Sequence, residues 1–393
     1  MTLENNWIVS KFGGSSVKDA KAMLACSLII ENNPNIKVVV ISATQNTTNQ
    51  LEQVARTAEI NDWEALNSVT NDLIIRHQNL AKDLFSSIAV LAALDLLFLE
   101  IKSHGERISK AKKITPQVMD DLYSLGERIS SIIISDLLRL RLPEKKIVFL
   151  DARNIIKTNS DFLCAEPQID LIAKNAKSAI IPFLNDNILF VTQGFIGEDL
   201  FGNTTTLGRE GSDYSAALFG EAIDASLVQI WTDVPGVASS DPRIVEDAQF
   251  LKNLSYDEAT ALATLGAKVL FPTTLLPTKR KNIPVYVGSS LNPKLGGTCI
   301  TKDQTSAFSL KAVSQLVKPD FVLLSFIGSH LDEKENLVDI LQEKLGPILF
   351  DFFELTSISV SFKVLSSSMD NNESLKIAHA VLLEFNANTL EQY

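Results

Sequence analysis

Five short stretches of this sequence place charged or hydroxyl side chains against glycine turns. The first is "KFGGSS", in which Lys11 precedes Gly13 and Gly14 and is followed by Ser15 and Ser16. An apolar strand before it and a helical pattern after it make a strand, a turn and a helix N-terminus. Free backbone N–H groups and the helix dipole make such a place an anion site, most often for phosphate. In a Walker loop the lysine follows the glycines, and a dinucleotide fingerprint needs GxGxxG, so this is neither. The second stretch is "TTTLGREGSD", with Arg209, Ser212 and Asp213 at a helix start. A guanidinium there can fork onto a carboxylate or phosphate. The third, "WTDVPGVASSDPR", carries Thr232, Asp233 and Arg243 and begins at a strand C-terminus, where open α/β sheets bind ligands. The fourth, "LGAKVLFP", holds Lys268 and Val269, and the fifth, "SLGERIS", holds Glu127. Taken singly, each has a plain structural reading: a βα turn, an N-capping aspartate, a Pro-Gly loop, a surface lysine and an exposed helical glutamate.

The elements that must position these residues follow from periodicity. "WIVSKF" reads as a strand, and "SSVKDAKAMLACSLII" as a helix with Val17, Met23, Leu24 and Cys26 turned inward and Ser15 or Ser16 as its cap. "KVVVIS" is an unbroken apolar run, as in a parallel strand covered on both faces. Residues 51–142 are mostly helical, after which strand and helix patterns alternate to about residue 300. That pattern predicts a three-layer α/β/α sandwich with a helical insertion. A polar stretch, Thr301–Ala312, then precedes a small α+β module. The expected domains are therefore 1–305 and 306–393. "GERIS" occurs twice, at Gly105 and Gly126, which is too little for a repeat architecture.

Composition narrows the function classes. The 393 residues carry a net charge of −11, with no basic excess for a nucleic-acid partner. Cys26, Cys164 and Cys299 are far apart with no CxxC, so a reducing compartment and no zinc site are expected. The polar N-terminus does not look like a signal peptide. "SSIAVLAALDLLFLEI", interrupted by Asp95, is too short to span a membrane. A cytoplasmic protein without a membrane partner is expected.

Together and in this order, "KFGGSS", "SLGE", "TTTLGRxGSD", "WTDVPG", "SSDPR" and "GAKVL" resemble aspartate kinase, of the amino-acid kinase superfamily. The likeness covers residues 7–300 and is nearest to the lysine-sensitive bacterial branch. It implies ATP-dependent phosphorylation of the L-aspartate side-chain carboxylate, with Mg2+ carried on the nucleotide. It also implies the roles. Lys11 neutralises the phosphoryl group in transit and Asp213 orients it. Gly13, Gly14 and Ser15 admit the phosphates. Ser15, Thr48, Glu127, Arg209 and Ser212 hold aspartate. Thr232, Asp233, Arg243, Lys268 and Val269 hold ATP. Phosphoryl transfer is mainly positioning and charge neutralisation, which suits a site with no nucleophilic side chain.

Three positions depart from the family's pattern: Asn46 and Glu210, where glycine is usual, and Ala238, where many members carry an aromatic. An alternative reading is therefore a catalytically weak paralogue serving as a regulatory or assembly subunit. A kinase of the same superfamily acting on glutamate or carbamate is a third. Lysine-sensitive members end in two ACT domains. Here the segment after residue 306 resembles one, with the inserted first domain missing. An enzyme that lysine does not inhibit, assembled as a homodimer, is the expectation.

Overall fold

The computed structural model describes residues 6–267, 272–302, 309–346, 350–365 and 369–390. In chain order its elements begin with β1 (Ile8–Phe12), α1 (Ala20–Glu31), β2 (Ile36–Ile41), α2 (Thr47–Glu59), α3 (Trp63–Asp83), α4 (Ile88–Ala111) and α5 (Pro116–Arg141). β3 (Lys146–Leu150), α6 (Ile169–Ala179), β4 (Ile188–Gln193), β5 (Ile196–Glu198), β6 (Thr204–Thr206), α7 (Gly211–Ile223) and β7 (Leu227–Thr232) follow. Next come β8 (Asn253–Ser255), α8 (Tyr256–Thr264), α9 (Pro272–Lys281), β9 (Val285–Ser289) and β10 (Gly297–Thr301). The chain ends in β11 (Ser309–Val317), β12 (Phe321–Ser329), α10 (Leu337–Leu345), β13 (Asp351–Leu355), β14 (Ser359–Leu365) and α11 (Asn371–Leu390). Two compact units emerge, residues 1–233 with 276–295, and residues 234–275 with 296–393.

In the first unit six parallel strands lie in the order β3-β4-β2-β1-β7-β9. β1 and β2 are buried along nearly their whole length, as their apolar runs require. Lys11 sits one residue from the carboxyl end of β1, in register with Val40 of β2 and Ile230 of β7. That is the edge at which open parallel sheets bind ligands. Helices α2 to α5 follow β2 in succession. Their inward residues, including Leu51, Leu73, Leu94, Ile101, Ile129 and Ile133, form one core with the sheet.

The turn after β1 differs from the sequence reading. Gly14–Val17 forms a 3-10 turn, and α1 starts only at Ala20, capped by Asp19, whose carboxylate accepts from the Ala22 N–H at 2.8 Å. The free cap position therefore lies away from the glycines, and Ser15 and Ser16 do not cap. Ser16 is drawn into the fold instead, accepting from the Ser290 hydroxyl at 2.6 Å and donating to the Trp231 carbonyl at 3.3 Å. Val17, Met23 and Cys26 are buried as expected, whereas Leu24 is exposed, because Met23, Cys26, Ser27 and Ile30 form the inward face of α1 and Leu24 projects to its side.

In the second unit β8 and β10 form a parallel pair. β11, β12, β14 and β13 form an antiparallel sheet in the order β11-β12-β14-β13. With α10 and α11 they enclose a core that includes Phe326, Phe350, Phe362, Leu341 and Leu382. Val245, from the loop before β8, belongs to the same core. Ser239 of that loop accepts the Val313 N–H at 2.7 Å and pairs with His379 of α11 at 2.9 Å.

The two glycines after Lys11 have unequal structural roles. A Cβ on Gly14 would stand 2.8 Å from the Ala43 carbonyl oxygen, whereas one on Gly13 would meet nothing closer than 3.4 Å. Gly14→Ala should therefore lose about 1–3 kcal/mol by forcing β1 away from the loop after β2. Gly13→Ala should fold with near wild-type stability. Urea denaturation of both variants checks this, and equal losses would count against it.

Candidate active site

Lys11 leaves the end of β1 and forms a buried ion pair with Asp213, in the first turn of α7. The chain reaches α7 through Glu210, which has a left-handed backbone (φ 53°). The same is true of Asn46 (φ 68°), which precedes α2. These are two of the three departures noted above. Both lie where glycine is free of steric cost and other residues are strained. Asn46 suits the position better, since short amides tolerate that region. Burial and, after it, the neighbouring Asp213 charge push the pKa of the Glu210 carboxyl up.

A cavity of about 580 Å³ opens beside the ion pair. Its lining includes Lys11, Gly14, Thr48, Glu127, Arg209 and Ser212, contributed by β1 and the turn after it, α2, α5, the loop into α7 and the first turn of α7. Tyr123 and Phe195 add an aromatic edge, their rings 6.3 Å apart. Glu127 is buried, and one carboxylate oxygen has no hydrogen-bond partner. Burial pushes its pKa up to about 8, against the lowering effect of the Ala43 N–H and of Lys11. Gly126 brings it there, because a Cβ at that position would stand 2.9 Å from the Ala43 side chain. The Ser130 hydroxyl, one turn on, donates to the Ser42 carbonyl at 2.7 Å.

The loop between β2 and α2 is held from α3. The His77 Nδ1–H donates to the Leu73 carbonyl at 2.8 Å, which leaves Nε2 as acceptor for the Thr44 hydroxyl at 2.8 Å. Arg76 donates to Thr44 (3.1 Å), the Gln45 carbonyl (3.0 Å), Thr47 (2.8 Å) and Gln50 (2.6 Å). Burial lowers the pKa of His77 to about 4, so the imidazole is neutral at physiological pH. Neither residue stood out in the sequence, where both read as ordinary helical polar positions.

A cavity with a buried lone carboxylate, an arginine and a lysine suits a small amino acid bearing one ammonium and two carboxylates. The amino acid kinase family model matches residues 6–289. The chain belongs to the amino acid kinase family. It is 40% identical over 303 residues to lysine-sensitive aspartokinase 3 of Escherichia coli, an alignment covering 75% of this chain and 64% of that protein. It is 34% identical over 312 residues to the aspartokinase of Chlamydia trachomatis, covering 78% of this chain and 68% of that one. Its structure matches that of E. coli aspartokinase III in complex with aspartate and ADP (R-state). The TM-score is 0.86 at 28% identity, over 96% of this chain and 100% of that one. Within the amino acid kinase family the chain thus falls among the aspartokinases.

The cavity of this amino acid kinase collects six of the site residues expected from sequence, together with the departures Asn46 and Glu210, and Asp213 is paired with Lys11. Gly13 and Ser15 adjoin it in the chain without lining it. Thr232 and Asp233 lie at the carboxyl end of β7, the strand beside β1, with the Thr232 hydroxyl 3.0 Å from the Asp233 carboxylate. Arg243, in the second unit, is exposed and forks onto Asp241 at 2.9 and 2.5 Å. Lys268 and Val269 lie outside the described residues.

The raised pKa of Glu127 has a consequence for stability. In the unfolded chain its carboxyl titrates near 4.5, in the fold near 8. The fold therefore holds the proton more tightly, and stability falls as pH rises from the first value through the second. Glu127→Gln should remove this loss. Its melting temperature should match wild type near pH 4.5 and exceed it by several degrees at pH 9. A difference that stays constant with pH would contradict an unpartnered buried carboxylate.

Proposed function

We propose that the chain is an aspartate kinase, transferring the γ-phosphoryl group of ATP to the side-chain carboxylate of L-aspartate to give 4-phospho-L-aspartate. The observation that carries this reading is the unpartnered Glu127 oxygen, buried in a cavity shared with Arg209 and the Lys11–Asp213 pair. Glu127 takes the substrate ammonium, Arg209 takes a carboxylate, and Thr48, Ser15 and Ser212 supply hydroxyl contacts. An oxygen of the acceptor carboxylate attacks the γ-phosphorus as the bond to the ADP oxygen breaks. Lys11 neutralises charge on the group in transit, and Asp213 keeps its ammonium aimed. Gly13 and Gly14 keep side chains away from the phosphates, and Thr232, Asp233, Arg243, Lys268 and Val269 hold the nucleotide. Mg2+ would enter on the nucleotide's phosphates, adding charge neutralisation to that of Lys11.

The product would be the entry to lysine, threonine and methionine synthesis. We place residues 1–305 in the catalytic domain and 306–393 in a single ACT-like module that serves self-association as a homodimer. Among the described residues no helix is long and apolar enough to cross a membrane, and we place the protein in the cytoplasm. Glu210 favours a second reading, a weak paralogue acting as a regulatory or assembly subunit, because it lines the acceptor cavity and adds a negative charge there.

An ATP-dependent hydroxamate assay, run with L-aspartate and then L-glutamate, tests the reading. Turnover is expected with aspartate alone. Lys11→Ala and Lys11→Arg should each lose at least about 10²–10³-fold in kcat while staying folded. Near wild-type turnover in either would overturn the role of Lys11. Glu210→Gly should lower the KM for aspartate or ATP, and an inactive wild type revived by it would favour the second reading. Millimolar L-lysine should leave the rate unchanged. Strong inhibition would show that the single module retains a lysine site.

A further inference from the structure

Asp120 is fully buried on α5, seven residues before Glu127, and does not line the cavity. At 1.5 Å of rise per residue the two carboxylates are about 10 Å apart along one helix. The hydrogen bonds of the Asp120 side chain reach segments far away in sequence. The Leu163 N–H donates to its two oxygens at 3.0 and 3.1 Å. The Thr206 N–H donates to Oδ2 at 3.0 Å, and the Thr206 hydroxyl to Oδ1 at 2.5 Å.

Both segments are cavity walls. Leu163 and Thr206 line it, and the chain from Thr206 runs directly through Gly208 and Arg209 to Ser212. Leu163 has a left-handed backbone (φ 73°), which strains a branched side chain and persists only where neighbours enforce it. The two segments also hold each other, the Ala165 N–H donating to the Thr206 carbonyl at 2.9 Å. The Asp120 carboxylate is the point at which this pair of loops is fastened to the helix carrying Glu127.

We propose that Asp120 is a positioning residue of the acceptor site. It fixes the Arg209 loop at a set distance from Glu127, so that the two groups that would grip opposite ends of the amino acid are registered on one helix. The inference rests on the reading that Glu127 and Arg209 hold the acceptor. Its role is geometric, and charge is not required. In Asp120→Asn the amide oxygen can take both backbone N–H groups while the amide nitrogen donates to the Thr206 hydroxyl, so all three partners are kept.

The test is steady-state kinetics on the full chain with L-aspartate and ATP varied separately. Asp120→Asn should stay within about threefold of wild type in both KM values. Thr206→Val, which keeps its backbone bond and loses its hydroxyl bond, should raise the aspartate KM severalfold and leave the ATP KM within twofold. Asp120→Ala should raise the aspartate KM at least tenfold with the same selectivity. In the Arg209→Ala background it should add less than threefold, because residues acting through one another are not additive. Equal rises in both KM values, a tenfold loss in Asp120→Asn, or multiplying effects of Asp120→Ala and Arg209→Ala would overturn the proposal. If Asp120→Ala does not fold, the Asn and Val variants decide it. A wild type without aspartate-dependent turnover brings down the functional reading and this proposal together. Turnover in the wild type with any of the contrary results brings down this one alone.

Discussion

The buried ion pair between Lys11 and Asp213 is the contact around which the first unit is arranged. Two opposite charges removed from water gain little net stability, but removing one partner leaves the other stranded at a cost of about 3–5 kcal/mol. The chain must therefore bring the end of β1 and the first turn of α7 together with little tolerance. Local features follow from that demand. Gly14 lets the strand end close against the loop after β2, and Glu210 accepts a left-handed backbone so that α7 can start beside Lys11. A lysine held this way has its side-chain entropy and desolvation settled before substrate arrives. For a reaction that needs positioned charge more than covalent help, that is the useful preparation.

Glu127 stands in the opposite condition. Its carboxylate is buried with an oxygen left without a partner, a state that costs stability until a cation arrives. α5 can hold it there because the helix is fastened at several points, through Gly126 and Ser130 to the loop after β2 and through Asp120 to the loop before α7. Arg76 and His77 brace the loop after β2 from α3. The cavity is thus built from loops, each tied down by a helix behind it. This is how mobile connections come to carry precise chemistry.

Much of this was legible in the sequence. Unbroken apolar strands separated by helical patterns gave the parallel sheet, while Lys11, Glu127, Arg209 and Asp213 stood out only through the likeness of their motifs, taken together, to a family. The start of α1 was misread because Ser15 and Ser16 are good capping types, whereas Asp19 caps better once the chain has made a 3-10 turn. The family's usual glycines at 46 and 210 were visible only as departures, and the backbone angles supply their reason. Asp120, Arg76 and His77 were not legible at all. On a helix they read as solvated polar positions, and their partners lie 86 and about 30 residues away. No local pattern encodes such a pairing.

Calorimetric titration of L-aspartate into the protein near pH 7.5, repeated in buffers of different ionisation enthalpy, tests the central claim most directly. Free Glu127, with a pKa of about 8, is largely protonated there. An ammonium bound against it lowers that pKa, so binding should release a substantial fraction of a proton, and Glu127→Gln should release none. Binding with no proton release, or the same release in both proteins, would contradict the assignment of the buried carboxylate to the substrate's amino group.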